Sequence, residues 1–371
     1  MTTTSSNGHF HKILPEGRAE AEESGWLQVA ERLQVAALLE RTRLNAHTEV
    51  ITYEDVFASG RCRYLLGDLI SLADYGRIPT SKITAVVDAV CDTFITTYTA
   101  TGRISALSAC VPALYTDRIR PGRRVDSWYL NPNLTITDTR TGERVPLATL
   151  TDYTTSVNGI PLPLDLPAAI DNARTSLHPD SRWSSAVTQG DPTEPNLATS
   201  ADGVCWLDFE HAGRNTLAGE IANFLWYLLA LGGWLVPRYQ PDVYARTLRL
   251  CLPPQCVPAV RAAELSTRGR ELNLDYTWPT GRGRWAALTQ LSARIAADLG
   301  DAAGLPRGRQ LHALRPFLTL RILGVIPPHL LTPDDLLLIM AKLAEAQHLE
   351  CAPFIHTTPL AAITPMSVEV P

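Results

Sequence analysis

The segment Val187-Thr188-Gln189-Gly190-Asp191-Pro192-Thr193-Glu194-Pro195-Asn196-Leu197, followed by Val204-Cys205-Trp206-Leu207-Asp208-Phe209-Glu210, carries the most information in this chain. It reads as loop, strand, turn, strand, acid. An acid and an amide five residues apart on one tight loop can face a common site, and a hairpin after them returns Asp208 to their side. Proline at 192 and 195 stiffens the loop by fixing φ. From average residue usage, Gly-Asp-x4-Asn followed by Asp-Phe at this distance arises by chance in roughly one chain in a thousand of this length. The set is therefore read as chemistry ahead of the alternative, in which Asp191 and Asn196 cap turns.

On the N-terminal side, His9 to Leu14 alternates as a short strand with Phe10 and Lys12 on one face, and Pro15-Glu16-Gly17 breaks it. Trp26, Leu27, Ala30, Leu33, Ala37 and Leu38 then predict a long amphipathic helix, continuous or interrupted, from Arg18 to about Arg43. Val50 to Tyr53 and Cys62 to Leu66 read as a hairpin with a long loop, and Pro79 to Thr99 as a helix. Tyr115 to Pro167, rich in Pro, Gly, Thr and Asp, predicts a β-prone insertion with hairpins. Beyond Leu217 the pattern is helical through Ile221 to Val236, Trp285 to Leu299, Leu311 to Val325 and Pro333 to Gln347, with a loose tail from Cys351.

A chain of 371 residues with 45% hydrophobic content can bury one or two substantial cores. Its net charge of -5 supplies no general attraction to nucleic acid or to an anionic membrane. Lys12, Lys82 and Lys342 are the only lysines, so any lysine-specific role falls on one of them. The 7 cysteines are scattered without a CxxC pair or metal-ligand spacing and read as free thiols of a reducing cytoplasm. The start MTTTSSNG lacks the features of a signal peptide, and Ile221 to Val236 falls short of the ~20 residues that span a bilayer. A cytoplasmic protein with neither a membrane nor a nucleic-acid partner is expected.

Phosphoryl transfer needs a carboxylate that positions the acceptor hydroxyl and takes its proton, plus oxygen ligands for the magnesium that neutralises the phosphates. Asp191, Asn196 and Asp208 supply that set. The segment resembles the aminoglycoside phosphotransferase and choline kinase group of kinase-like enzymes, whose catalytic loop reads His-Gly-Asp-x4-Asn before an Asp-Phe or Asp-Trp metal motif. Gly213 to Ala222 is similar to the stretch that follows in this group, with Glu220 where the bracing acid is usually aspartate. Tyr64-Leu65-Leu66-Gly67-Asp68-Leu69 resembles the strand and linker between the lobes, against which an adenine ring lies.

The resemblance spans residues 10 to 345, broken by the insertion. It implies an α+β, two-lobed protein-kinase-like fold. A reduced β-containing N-terminal nucleotide lobe would occupy residues 1–72 and a mainly helical catalytic lobe residues 73–350, with the insertion at 115–167 and a tail at 351–371. It implies ATP and Mg2+, with Asp191 as catalytic base and Asn196 and Asp208 as magnesium ligands. Lys12 would hold phosphates, partnered by the helix acid Glu22, with Glu20 the alternative, and Asp68 would lie at the nucleotide. The acceptor would be a hydroxyl-bearing small molecule, or the Ser/Thr of a precursor peptide as in lanthipeptide-type biosynthesis.

Two departures stand out. Gln189 replaces the group's histidine, and the eleven residues before Lys12 are too few for a two-stranded phosphate-covering hairpin at typical strand lengths. These departures leave room for a partner protein to complete the nucleotide lobe, and they motivate the alternative of a non-catalytic, pseudokinase-like scaffold. Arg118, Arg120, Arg123 and Arg124 read either as a solvated loop or as an attractor for an acidic substrate or for phosphates. Trp226, Trp234, Trp278 and Trp285 read as core.

Overall fold

In the computed structural model an Asn7-Gly8 turn joins β1 (Thr2–Ser6) to β2 (His9–Pro15), both turn residues having the positive φ that such two-residue hairpins require. The structure describes residues 2–138, 140–201, 203–241, 256–355 and 358–359. The alternation of β2 turns Lys12 and Leu14 inward, where both are buried. Helix α1 (Glu16–Val29) follows and buries a narrow face of Ala19, Glu22, Gly25 and Val29. It ends well short of Arg43. The Trp26 indole N–H donates to the Ala36 carbonyl at 2.8 Å and folds the chain back, so Leu33 and Ala36 are buried from a loop. Strands β3 (Leu38–Asn45) and β4 (Thr48–Glu54) complete an antiparallel sheet in the order β1-β2-β4-β3.

The hairpin expected from Val50 to Leu66 does not form. Strand β4 pairs with β2 and β3, whereas β5 (Cys62–Leu65) joins a separate sheet and leads into α2 (Leu66–Asp74). Residues 62 to 72 thus pack with the second part of the molecule. Helix α3 (Ser81–Thr101) and β6 (Arg103–Ala106) come next. The insertion opens on two helices that its composition did not predict, α4 (Pro112–Ile119) and α5 (Arg124–Tyr129). Its hairpins follow as β7 (Thr135–Thr137) with β8 (Arg144–Pro146), and β9 (Thr154–Val157) with β10 (Ile160–Pro161).

After α6 (Leu166–Ser176), β11 (Arg182–Thr188) lies between β6 and β14 (Gly213–Thr216). Strands β12 (Leu197–Ser200) and β13 (Gly203–Trp206) make the hairpin that β5 extends. Helix α7 (Leu217–Trp226) runs on through a π-helical stretch, Tyr227–Leu235, into α8 (Val236–Tyr239). These 23 residues are long and apolar enough to cross a membrane, but 94% of their most apolar window is buried inside the fold. Strands β15 (Ala259–Ser266) and β16 (Glu271–Thr277), where only helices were expected, pair with each other, and β16 pairs with β9, burying Leu272, Leu274 and Tyr276.

The chain continues through β17 (Pro279–Thr280), α9 (Arg282–Arg294), a π-helical extension into α10 (Gly300–Ala302), α11 (Gln310–Gly324) and α12 (Pro333–His348). The expected tail begins as α13 (Cys351–Phe354), with Phe354 buried, and β18 (Thr358–Pro359) pairs with β17; residues 360–371 lie outside the described residues. The class is α+β, sheet first and mainly helical afterwards. Trp226, Trp234 and Trp278 are core, and Trp285 is half-buried.

Candidate active site

The loop that leaves β11 can turn as it does because position 190 is glycine. Its φ of 90° lies in the left-handed region, and an added Cβ would run into the His211 carbonyl oxygen. Gln189, fully buried, stands where the resemblance has histidine. Its Nε2 donates to the carbonyls of Leu207, at 2.9 Å, and Asp208, while its Oε1 accepts from the Asp191 N–H at 2.9 Å. One amide therefore ties the Asp191 loop to the Asp208 turn. The Asn196 side chain donates to the Asp191 carbonyl at 3.0 Å, and its own carbonyl accepts from Leu207 N–H at 2.9 Å. With Leu197 opposite Trp206 in the hairpin, Asn196 and Asp208 meet at its mouth.

Asp208 has a φ of 63°, a strained conformation that the surroundings must hold. Lys12 contributes to this across the cleft. Its Nζ lies 2.9 Å from Asp208 Oδ1 and 2.6 Å from Glu22 Oε2. Burial pulls the lysine's pKa down, but Asp208 and Glu22 more than offset this and hold it above the ordinary value. Glu22 also accepts from the Tyr53 hydroxyl at 3.0 Å and from Phe209 N–H at 3.1 Å. Burial pushes its carboxyl up against the pull of Lys12. The alternative partner, Glu20, is exposed on the opposite side of α1. Gly25, one turn after Glu22, gives the Phe209 carbonyl room that a Cβ would occupy.

Between the sheet and the hairpin lies a cavity of about 310 Å³, lined by Phe10, Lys12, Val56, Leu65, Leu207 and Phe209 among others. That size is within the range of small-molecule sites. Asp68 does not line it. Its carboxylate sits in the first turn of α2 and accepts from the Leu65 N–H at 3.3 Å, which makes it a helix cap. The chain crosses between the two parts at Glu54–Phe57 instead, and these residues border the cavity. Tyr64 to Leu69, expected as the linker, belong instead to β5 and α2, because β4 and β5 pair with different sheets. Asp55 fastens the crossing: its N–H donates to Gly8 O at 2.9 Å, its Oδ2 accepts from Ser5 Oγ, and its Oδ1 accepts from Phe57 and Ala58 N–H at 3.0 Å each. A single strand, β1, precedes the lysine strand and supplies Ser5 to the cavity wall.

Asp191 is held from below by groups that local sequence did not reveal. Asn223 Nδ2 donates to its Oδ1 at 2.8 Å, and Arg321 Nη2 lies 3.7 Å from the same oxygen. Glu220 is completely buried nearby. Burial, reinforced by the charge of Asp191, pushes its pKa up to about 8, so it is mostly protonated at neutral pH. Inside the loop, Glu194 accepts from Arg284 Nη1 at 2.7 Å, and both residues are buried. Asn223, one turn after Glu220 on α7, was within reach of helical spacing. Arg284 and Arg321 come from α9 and α11, where no local pattern marks them.

The donor atoms at the hairpin mouth are an amide oxygen and a carboxylate, a set that suits a hard, oxygen-seeking cation such as Mg2+. Among the described residues no group of three or more His, Cys, Asp or Glu side chains could hold a metal. The remaining ligands would have to come from phosphates and water, as is usual for magnesium on nucleotides.

No family model and no curated protein sequence matches this chain. Solved structures do. Aminoglycoside phosphotransferase APH(3'')-Id from Streptomyces rimosus, in complex with ADP and streptomycin, is 13% identical with a TM-score of 0.42, covering 86% of this chain and 88% of that one. Amicoumacin kinase hAmiN, in complex with AMP-PNP, Ca2+ and Ami, is 12% identical with a TM-score of 0.42, covering 95% and 91%. A thermostable mutant of aminoglycoside phosphotransferase APH(4)-Ia is 12% identical with a TM-score of 0.43, covering 95% and 89%. At such values the functional reading rests on the chain's own residues.

Proposed function

We propose that this protein is an ATP-dependent phosphotransferase with a two-lobed, kinase-like fold that moves a phosphoryl group to a hydroxyl. The observation that carries the reading is the meeting of Lys12 and Glu22 with Asp208 across the cleft, on the same hairpin that presents Asn196 and Asp191. Lys12 would hold the nucleotide phosphates, oriented by Glu22. Asn196 and Asp208 would hold Mg2+, which would supply charge neutralisation for the phosphates. Asp191, fixed by Asn223 through Oδ1 and by Gln189 through its backbone, would accept the proton of the acceptor hydroxyl. Glu54–Phe57 would border the base. The acceptor is a small molecule or the Ser/Thr of a peptide.

Gln189 supplies both a donor and an acceptor to the loop, so its presence supports the loop rather than dismantling it. The second reading is a non-catalytic, kinase-like scaffold in which Asp208 stays paired with Lys12. Mg-ATP titration separates the two readings, since a scaffold of that kind does not bind the nucleotide. Phosphoryl transfer from Mg-ATP to a panel of hydroxylic acceptors tests the chemistry. Asp191→Asn and Asp208→Asn should each lower the rate by roughly a hundredfold to ten-thousandfold. Unchanged transfer in both variants would overturn the assignment.

A further inference from the structure

Three arginines from two remote segments gather around one turn of α11, and one of them, Arg321, lies 3.7 Å from Asp191. Helix α4 docks on α11 through Tyr115 and Phe317, whose rings meet edge to face at 5.5 Å. One turn beyond Tyr115 is Arg118, and one turn beyond Phe317 is Arg321, so the docking brings the two guanidiniums level. The Arg118 stem runs along Gly324, where a Cβ would sit 3.5 Å from its Cδ. Arg124, exposed on α5, donates to the Gly324 carbonyl at 3.0 Å. All three therefore surround one turn of α11.

The acids nearby are engaged elsewhere or kept for chemistry. Asp126 pairs with Arg174 and accepts from Gly122 N–H, and Asp117 faces Arg120 at 3.6 Å. Among the described residues, Arg118 forms no ion pair, Arg321 lies 3.7 Å from Asp191, and the other carboxyl that feels Arg321, buried Glu220, is mostly protonated at neutral pH. Burial, followed by the like charges of Arg321 and Arg124, lowers the Arg118 pKa, which Asp191 opposes. Arg118 stays charged at neutral pH. The wall beside the base carries more positive charge than the protein itself neutralises.

We propose that Arg118 and Arg321, with Arg124 at the rim, bind an anionic group of the acceptor, a carboxylate or phosphate, and so present its hydroxyl to Asp191. This rests on the phosphotransferase reading. The planar guanidinium suits both oxyanions and offers paired N–H groups to either. A polycationic acceptor would meet repulsion on this wall.

Binding of inorganic phosphate and of malonate to the protein saturated with Mg-AMP-PNP, by calorimetry at constant ionic strength, tests the proposal. Saturable binding of at least one anion is expected, and the preferred one separates phosphate from carboxylate. Arg118→Gln and Arg321→Gln should weaken it by about tenfold, with Mg-AMP-PNP affinity kept within about twofold. Arg124→Gln, at an exposed position, should weaken it roughly threefold and keeps the test decisive where a more buried variant does not fold. The proposal is overturned if neither anion binds, if the variants bind it as the wild type does, or if they lose nucleotide affinity instead, which would assign the arginines to the nucleotide phosphates. Failure of the phosphotransferase reading looks different: Mg-AMP-PNP itself would not bind, while phosphate or malonate would still bind the nucleotide-free protein.

Discussion

The two sides of Asp191 are built on opposite principles. On the hairpin side, Gln189, Asn196 and Asp208 belong to one continuous stretch, and their polar groups are joined to one another, to Lys12 or to the backbone. On the α4–α11 side, Arg118 and Arg321 are about 200 residues apart in sequence and crowd like charges together with little to neutralise them. The first arrangement is fixed by its own hydrogen bonds and the second gains from a ligand. Rigidity at the reacting groups and electrostatic tension at the binding wall are therefore separable properties here.

That contrast can be broken by substitution. The largest effect is expected at Glu194→Ala, which leaves Arg284 buried without its carboxylate and should cost about 3–5 kcal/mol in urea unfolding. An unaltered midpoint would show that the loop is not braced from below. Gln189→Ala removes the amide that joins Asp191 to Leu207 and Asp208, so turnover should fall roughly tenfold or more, with Gln189→His restoring most of it. Equal turnover in all three proteins would mean that the amide positions nothing.

Glu220 gives a pH-dependent test. Its folded pKa, about 8, lies above the ordinary value of 4.5, so the folded protein binds this proton more tightly than the unfolded chain. The stability it contributes is fully present below the unfolded value and is lost as pH rises through about 8. Wild type should therefore lose stability relative to Glu220→Gln between about pH 5 and about pH 9. Parallel stability curves would contradict this. The smallest effect is expected on the opposite wall, where Arg118→Gln relieves like-charge crowding and should leave stability unchanged or raise it by up to about 1 kcal/mol. A clear loss would make Arg118 a structural residue.

How much the sequence disclosed follows the same division. Asp191, Asn196 and Asp208 could be read because a short loop and one hairpin bring them together; Lys12 and Glu22 came from the resemblance, and strand and helix periodicity place both on inward faces. Asp68 and the linker could not. Whether β4 and β5 pair with each other or with different sheets is a long-range matter that their compositions do not encode. The helix predicted to Arg43 failed because apolar residues at helical spacing can equally be buried by a loop and an edge strand. The contacts of Arg284, Arg321 and Arg118 depend on helix docking across 90 residues or more. No window of sequence contains it.

Gln189 has a further consequence. An imidazole at that point would change charge near pH 6.5 and with it the number of protons it can donate. A carboxamide keeps the same two donors and one acceptor oxygen throughout the physiological range. The joint between the two halves of the hairpin is therefore indifferent to acidification in that range, and reagents that acylate histidine find no target at this position.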